Sequence, residues 1–423
     1  MQRKLYVLLS LTAFLFSSVL YAGTQGKIKG KVVDSKSGEA LVGATVQIVG
    51  TSWGAVTDIN GEYTILKAEV GTYTVKASYV GYQAVTISNI LVNADLTSEA
   101  NFKLPLEGVT GQEVVIVAQR PLVNKSATNV TRIVDAQSIA NLPTRGVDAV
   151  IKLQPGVVQR GTNTYVRGSR PDQTSYFIEG VSINNLYSGG RGVTITDEAV
   201  EQIQVQTGGY TAEYPGANGG IITTSIKTGG ENWKVSVRAE TDNYTSQGKK
   251  SLGGYSYGYS DYVVTAGGAI PMTDKKLRFF GSAQNTFFRD TEIRFLEELN
   301  FTGTKALPTA ANRSVFHPDS IASDTLDLIY QAGNALGAMQ NTFVYTGTLL
   351  YNLGDLQVKL AGSYNNRESK DPVTLANVFN QSRTPYRTLQ DGFGNLKLTY
   401  FVTPEIAVEA SGNYSYRDSR VMD

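Results

Sequence analysis

The sequence predicts a mainly β protein in three parts: an N-terminal β-sandwich, a small α+β domain and a partial transmembrane antiparallel β-barrel. Three observations lead to this prediction. Short alternating strands fill residues 26–106, two short helical segments interrupt the middle of the chain, and seven longer alternating stretches follow from residue 230 onward. The 43 glycines and 24 tyrosines, against 12 prolines, indicate turns and strands rather than disorder.

The composition excludes several classes of function. Lys and Arg number 38 and Asp and Glu 37, so the chain has no excess of positive charge for binding a nucleic acid. Cysteine is absent, which excludes disulfides, thiolate nucleophiles and cysteine-based zinc sites. The single histidine, His317, lies in a stretch with Pro and Ser that is typical of a solvated loop. We therefore predict no catalytic residues, no metal, no cofactor and no nucleic-acid partner.

Residues 1–22 are typical of a secretory signal peptide. Arg3 and Lys4 precede an apolar run that ends at Leu20, and Ala22 is the expected cleavage position. The alternative is a membrane anchor, but the run is shorter than the ~20 apolar residues that a spanning helix needs. The rest of the chain has no segment with the composition of a membrane helix, so a membrane protein of this sequence would have to be a barrel.

Alternating strands and turn residues predict a β-sandwich over residues 26–106. Asp58–Gly61 could be half of a calcium loop, but the other ligands of such a loop are missing, which favours a hairpin turn. The segment resembles the carboxypeptidase-regulatory-like domain, which implies a structural accessory domain and not a peptidase. The resemblance lies in GKVVD (30–34), GEALVGATV (38–46), TD (57–58), GEY (61–63), GTY (71–73) and SYVGY (78–82).

Two short helices, each followed by turn residues, and several strands predict a small α+β domain over residues 120–229. Four ordered motifs in it resemble the plug domain of TonB-dependent receptors. They are LQPGVV (153–158), VRGSR (166–170), FIEGV (177–181) and GGYTAEY (208–214). Glu179 stands where that family most often has Asp, and its longer side chain is expected to change the partner of the carboxylate.

A linker over residues 107–119 contains a β-prone hexamer with two interpretations. It could be the last strand of the first domain, or an extended peptide that pairs with a partner's sheet by strand addition. Its place between a regulatory-like domain and a plug-like domain resembles that of the TonB box, which implies binding to the TonB–ExbB–ExbD complex. The predicted TonB-binding residues are Glu113, Val114, Val115, Ile116, Val117 and Ala118.

Four plug residues are candidates for function. Charged residues on a plug inside a barrel can pair with the barrel wall, and such pairs fix register and act as a latch. We predict this role for Arg167 and Glu179, against the alternative of solvated surface charge. Tyr187 and Arg191, on a glycine-rich loop without a phosphate-binding motif, are the candidate ligand contacts.

The stretches from residue 230 onward have one apolar and one polar face, exceed the ~9–11 residues that a membrane-crossing strand needs, and are joined by alternating short and long connections. This rhythm is typical of outer-membrane barrels rather than of a soluble sandwich. Seven strands cannot close a single-chain bacterial barrel. The resemblance implies 22 strands, so the chain is expected to be an N-terminal part of a receptor.

The predicted function is energised import through the outer membrane of a ligand too large for porins, such as an iron chelate, cobalamin, a glycan or a peptide. The alternatives are a passive porin or surface adhesin with an accessory periplasmic β-sandwich, and an enzyme, which the composition disfavours. A surface lipoprotein could cap the barrel. The predicted parts are 1–22 signal peptide, 26–106 periplasmic β-sandwich, 107–119 linker with TonB box, 120–229 plug domain and 230–423 first seven barrel strands.

Overall fold

The computed structural model describes most of the chain. The predicted signal peptide, Glu113, Ala118, Tyr187 and His317 lie outside the described residues. The described residues are 25–51, 53–93, 96–106, 114–117, 131–160, 163–185, 189–209, 217–245, 250–256, 258–289, 298–305, 325–331, 339–370, 385–403 and 406–422.

The first unit is the predicted β-sandwich. Its strands alternate because Ile28 and Val32 are buried in the core while the lysines between them face solvent. Asp58 Oδ1 accepts hydrogen bonds from the backbone N–H groups of Asn60 and Glu62, which forms a turn. The predicted hairpin at this turn is wrong, because the strands before and after it, Gly54–Val56 and Glu62–Glu69, belong to different sheets. One sheet contains β1 (Gln25–Asp34), β4 (Glu62–Glu69), β7 (Thr97–Glu99) and β8 (Phe102–Leu104); the other has the order β3 (Gly54–Val56), β2 (Thr45–Ile48), β5 (Gly71–Ser78), β6 (Val85–Val92) and β9 (Val114–Val117).

The second unit is the predicted α+β domain. Its first helix begins where the Asp135 carboxylate accepts a hydrogen bond from the Ser138 N–H, and Gly156, with positive φ, follows the second helix. A five-stranded sheet has the order β10 (Thr131–Asp135), β15 (Val200–Gln206), β16 (Gly220–Ile226), β13 (Thr174–Ile178) and β14 (Val181–Ser182); α1 (Ala136–Ala140), α2 (Val147–Lys152) and the hairpin of β11 (Val157–Arg160) and β12 (Asn163–Val166) complete the domain.

The third unit is an antiparallel sheet of the seven predicted strands, in sequence order, and it is not closed. Two of the long connections contain hairpins that the sequence did not predict: β18 (Lys250–Ser251) with β19 (Gly254–Tyr255), and β22 (Glu298–Lys305) with β23 (Thr325–Gln331). The seven strands are β17 (Lys234–Thr241), β20 (Tyr259–Ala269), β21 (Leu277–Phe288), β24 (Gln340–Asn352), β25 (Leu356–Lys370), β26 (Tyr386–Thr403) and β27 (Ile406–Met422).

The seven-stranded sheet has apolar side chains on its outer face and polar side chains on its inner face, the reverse of a soluble protein. Its outer face exposes large apolar side chains such as Val237, Leu360 and Val408, while neighbouring polar side chains such as Lys359 and Asn365 are buried on the inner face. The inner face packs on the α+β domain, since Phe280 and Phe393 join the core of that domain. In the described part of the chain, no helix has the length and apolar character needed to cross a membrane.

Candidate functional site

Glu179 occupies a two-residue turn between β13 and β14. Ile178 pairs with Val181, and both turn residues have positive φ, +52° at Glu179 and +80° at Gly180. Positive φ at both central residues is the geometry of a type I′ hairpin turn, in which glycine is favoured and Glu is unusual. The turn places the Glu179 side chain between its own domain and the seven-stranded sheet.

The Glu179 carboxylate is held from both sides. Oε1 accepts a 2.7 Å hydrogen bond from the Ile226 N–H at the end of β16. Oε2 lies 2.8 Å from Nζ of Lys359 on β25, and the two side chains are 0% and 4% exposed. The Glu179 carbonyl also accepts a 3.1 Å hydrogen bond from Asn395 Nδ2 on β26. We call the Glu179–Lys359 ion pair the latch, because it joins the α+β domain to the inner wall of the sheet.

A second carboxylate shares the same ammonium group. Glu69 Oε2, at the end of β4 in the sandwich, lies 2.6 Å from Lys359 Nζ and is 2% exposed. Burial by itself would raise the pKa of Glu69, but the Lys359 and Lys397 ammonium groups outweigh it and hold that pKa below its usual value. All three domains therefore meet at Lys359.

Arg167, the other predicted latch residue, lies elsewhere. It also precedes a glycine in a tight turn, with φ +51° and with the Ser169 N–H donating to the Val166 carbonyl. Its side chain is exposed beside Gly208 and makes no ion pair with any described residue. The structure does not bring Arg167 to the latch, and its role stays a prediction.

Arg191, a predicted ligand contact, pairs within its own domain. Its Nη2 lies 2.7 Å from Oδ2 of Asp148 on α2, and its side chain is 13% exposed. A ligand that binds Arg191 would therefore compete with Asp148 for the guanidinium. The second predicted contact, Tyr187, falls outside the described residues, so the ligand site stays a prediction.

Comparisons with known proteins assign the first two domains. Residues 28–116 match the CarboxypepD_reg-like domain, and residues 123–221 match the TonB-dependent Receptor Plug Domain. The chain carries a TonB-dependent receptor plug. It is also homologous to the TonB-dependent transporter Oar of Myxococcus xanthus, with 25% identity over 376 residues, 79% of this chain and 35% of the relative. The chain thus spans about a third of the length of that relative.

Solved receptor structures resemble the chain over its larger part. The siderophore receptor PirA from Pseudomonas aeruginosa has 14% identity and a TM-score of 0.45 over 70% of this chain and 42% of its own. The alcaligin outer membrane receptor FauA from Bordetella pertussis has 11% identity and a TM-score of 0.47 over 70% of this chain and 40% of its own.

The predicted TonB box is a strand of the regulatory-like domain in this structure. Its middle four residues form β9, which pairs in parallel with β6 from Val85↔Val114 to Ser88↔Val117. The match to the regulatory-like domain also extends to residue 116. This arrangement is the first of the two interpretations of the hexamer, and TonB binding by the same strand stays a prediction.

A second contact between the plug and the sheet, at Arg238, was not predicted from the sequence. Arg238 on β17 lies 2.7 Å from Glu198 of the plug, 2.7 Å from Glu240 and 2.9 Å from the buried Asp261 on β20. Beside Glu198, burial raises the pKa of Asp197. The sequence did contain one signal for both contacts, because Arg238 and Lys359 are cations on the polar, inward-facing side of alternating strands.

Proposed function

We propose that this protein is an outer-membrane receptor that imports its ligand actively, with the plug closing the barrel until the TonB–ExbB–ExbD complex pulls on the segment around β9. The ligand class is one too large for porins: an iron chelate, cobalamin, a glycan or a peptide. The N-terminal sandwich lies in the periplasm, at the end of the barrel where the connections are short.

The observation that carries this proposal is the sheet around the plug, with its apolar outer face and polar inner face. Apolar side chains on the outer face suit hydrocarbon, where every backbone group must be paired within the protein, and a polar inner face suits a lumen. The plug occupies that inner face and is attached to it by a buried ion pair at Lys359 and by a partly buried one at Arg238. A passive pore would need neither the plug nor these contacts.

The latch suits a gate that opens under force. A buried ion pair is costly to break by removing one partner, but its strength falls steeply when water reaches it, because the attraction scales inversely with the local dielectric constant. A pull that admits water to Lys359 would therefore weaken the latch without any change in the charges themselves.

The test is uptake in cells that carry the protein in their outer membrane. Uptake of four radiolabelled probes (a ferric siderophore, cyanocobalamin, an oligosaccharide and a peptide) is measured with and without a protonophore. Active import predicts that uptake of one probe is lost on de-energisation and is also lost in an Ile116→Pro variant, because proline cannot donate in a strand pairing. Uptake that persists unchanged under both conditions would support the passive alternative.

A further inference from the structure

The N-terminal sandwich contacts the rim of the seven-stranded sheet at two further points besides Glu69. Gln25 Nε2 lies 3.0 Å from Gln357 Oε1 and 2.7 Å from Glu69 Oε1, so it bridges the sandwich and the sheet. Arg278 donates through Nη2 to the Gly50 carbonyl. These contacts are mostly buried and polar, and each one uses a specific donor and acceptor.

The partners on the sheet lie at one end of it. Arg278 is the second residue of β21, after the short connection from β20, and Gln357 and Lys359 are the second and fourth residues of β25, after the short connection from β24. Gly50 fits closely here, because a Cβ atom at this position would overlap the Glu231 carboxylate. We call the surface formed by Arg278, Gln357 and Lys359 the docking rim.

Docking buries the latch. Lys359 lies between a plug carboxylate and a sandwich carboxylate, and with both in place its side chain is 4% exposed. If the sandwich left the rim, Glu69 and Gln25 would leave with it and water could reach the Glu179–Lys359 pair. An exposed ion pair contributes much less to stability than a buried pair with good geometry.

The strand that carries the predicted TonB box is connected to the docking carboxylate through the sandwich. β9 pairs with β6, β6 pairs with β5, and β5 begins two residues after Glu69. Force applied to the segment around β9 would therefore act on the sheet that contains β5. The strand just before β5 in the chain is β4, and β4 ends at Glu69, which contacts the docking rim.

We propose that the N-terminal β-sandwich is a docked seal of the plug latch: Glu69 binds Lys359 on the docking rim, keeps water from the Glu179–Lys359 pair, and transmits a pull on β9 to it. This inference rests on the proposed import function. The regulatory-like domain then has a specific role, which is to bind the docking rim of its own barrel and seal the latch.

The first measurement is docking itself, and it needs neither ligand nor energy. The chain has no cysteine, so Gln25→Cys with Gln357→Cys provides the only thiol pair, and a short bismaleimide should link them in isolated outer membranes. The control pair is Glu62→Cys with Gln357→Cys, because Glu62 lies seven residues and about 23 Å along β4 from Glu69. Absence of cross-linking in the first pair, or equal cross-linking in both, would overturn the inference.

The second measurement is leakage of the plug, read as entry of vancomycin, a glycopeptide too large for porins. Glu69→Gln should lower the inhibitory concentration of vancomycin roughly tenfold, since loss of a buried charge contact shifts a closed-to-open ratio by at least that much. Glu62→Gln is the matched control and should leave it unchanged. In the triple variant Glu69→Gln/Gln25→Cys/Gln357→Cys, the cross-linker should restore resistance.

The two proposals fail separately. If Glu69→Gln does not leak although the cysteine pair cross-links, the sandwich docks without sealing the latch, and this inference is wrong while protonophore-sensitive uptake stands. If uptake proves insensitive to protonophore while the leak and its rescue occur, the import proposal is wrong and the seal remains. Folding of each variant is checked by the heat-dependent migration of the barrel on gels.

Discussion

Neutralising Glu179 separates the contribution of the latch from that of the other plug contacts. Glu179→Gln keeps the size of the side chain and an oxygen that can accept from the Ile226 N–H, but it removes the charge that faces Lys359 at 2.8 Å. Lys359 keeps Glu69 as a counter-ion, so the variant does not leave an uncompensated buried cation. The expected loss is therefore the net contribution of one charged contact.

The magnitude follows from the burial of the pair. Two unit charges 4 Å apart attract by about 4 kcal/mol at an effective dielectric constant of about 20, and desolvation offsets a large part of this. Net hydrogen bonds to charged groups contribute about 1.5–3 kcal/mol. We expect Glu179→Gln to weaken plug retention by about 2 kcal/mol, a factor of about 30 in the closed-to-open ratio.

Lys359→Met should cost more, because it leaves two buried carboxylates without their shared cation. Removing one member of a buried ion pair costs about 3–5 kcal/mol. The assay is limited proteolysis of the plug in membranes across a urea series, in which the midpoint of cleavage reports plug release. Glu62→Gln, on an exposed pair with Lys29 at 3.6 Å, is the control. Coincident midpoints for Glu179→Gln and Glu62→Gln would refute the reasoning.

Three further predictions test neighbouring parts of the structure. Arg238→Met should weaken plug retention, read from the same proteolysis midpoint, by about 1 kcal/mol, since it removes the partly buried ion pair with Glu198 of the plug, and an unchanged midpoint would show that this pair does not retain the plug. Because the pKa of Glu69 is lowered on folding, its contribution is present above the unfolded value of about 4.3 and is lost as pH falls through the lower folded pKa; the difference in urea midpoint between the parent chain and Glu69→Gln should therefore be constant from pH 7 to about 5 and shrink at lower pH, measured with a protease matched to each pH. Gly30→Ala should make the sandwich protease-sensitive, because its Cβ would lie 1.8 Å from the Ala100 carbonyl oxygen; a fully resistant sandwich would show that the strand can shift.

Much of the fold could be predicted because the alternation of apolar and polar residues along a strand is visible in a short stretch of sequence. A residue such as Val32 or Leu360 has to face either the core or the outside, and the neighbours on each strand then take the opposite face. This rule identified the sandwich and all seven strands of the sheet. It failed in two long connections, between β17 and β20 and between β21 and β24, where hairpins form.

The site could be predicted only in part, because its contacts join distant segments. Glu179 was identified from its motif, but its partner Lys359 follows 180 residues later and Glu69 precedes Lys359 by 290 residues. No local period connects such positions. The same holds for the hexamer around β9. Its composition indicates a strand, but its own sequence does not show whether that strand pairs with the edge of β6 or with another protein.

The choice of Glu rather than Asp at position 179 follows from the competition between the turn and the latch. A type I′ turn favours Asn, Asp or Gly at this position, and a left-handed conformation costs an ordinary residue roughly 1–2 kcal/mol. An Asp would reduce that cost, but its carboxylate would be one methylene closer to the backbone and less able to contact both the Ile226 N–H and Lys359. The strain in the hairpin is therefore offset by a carboxylate that reaches Lys359. This balance is expected when the contact with Lys359, and not the turn, determines which residue occupies position 179.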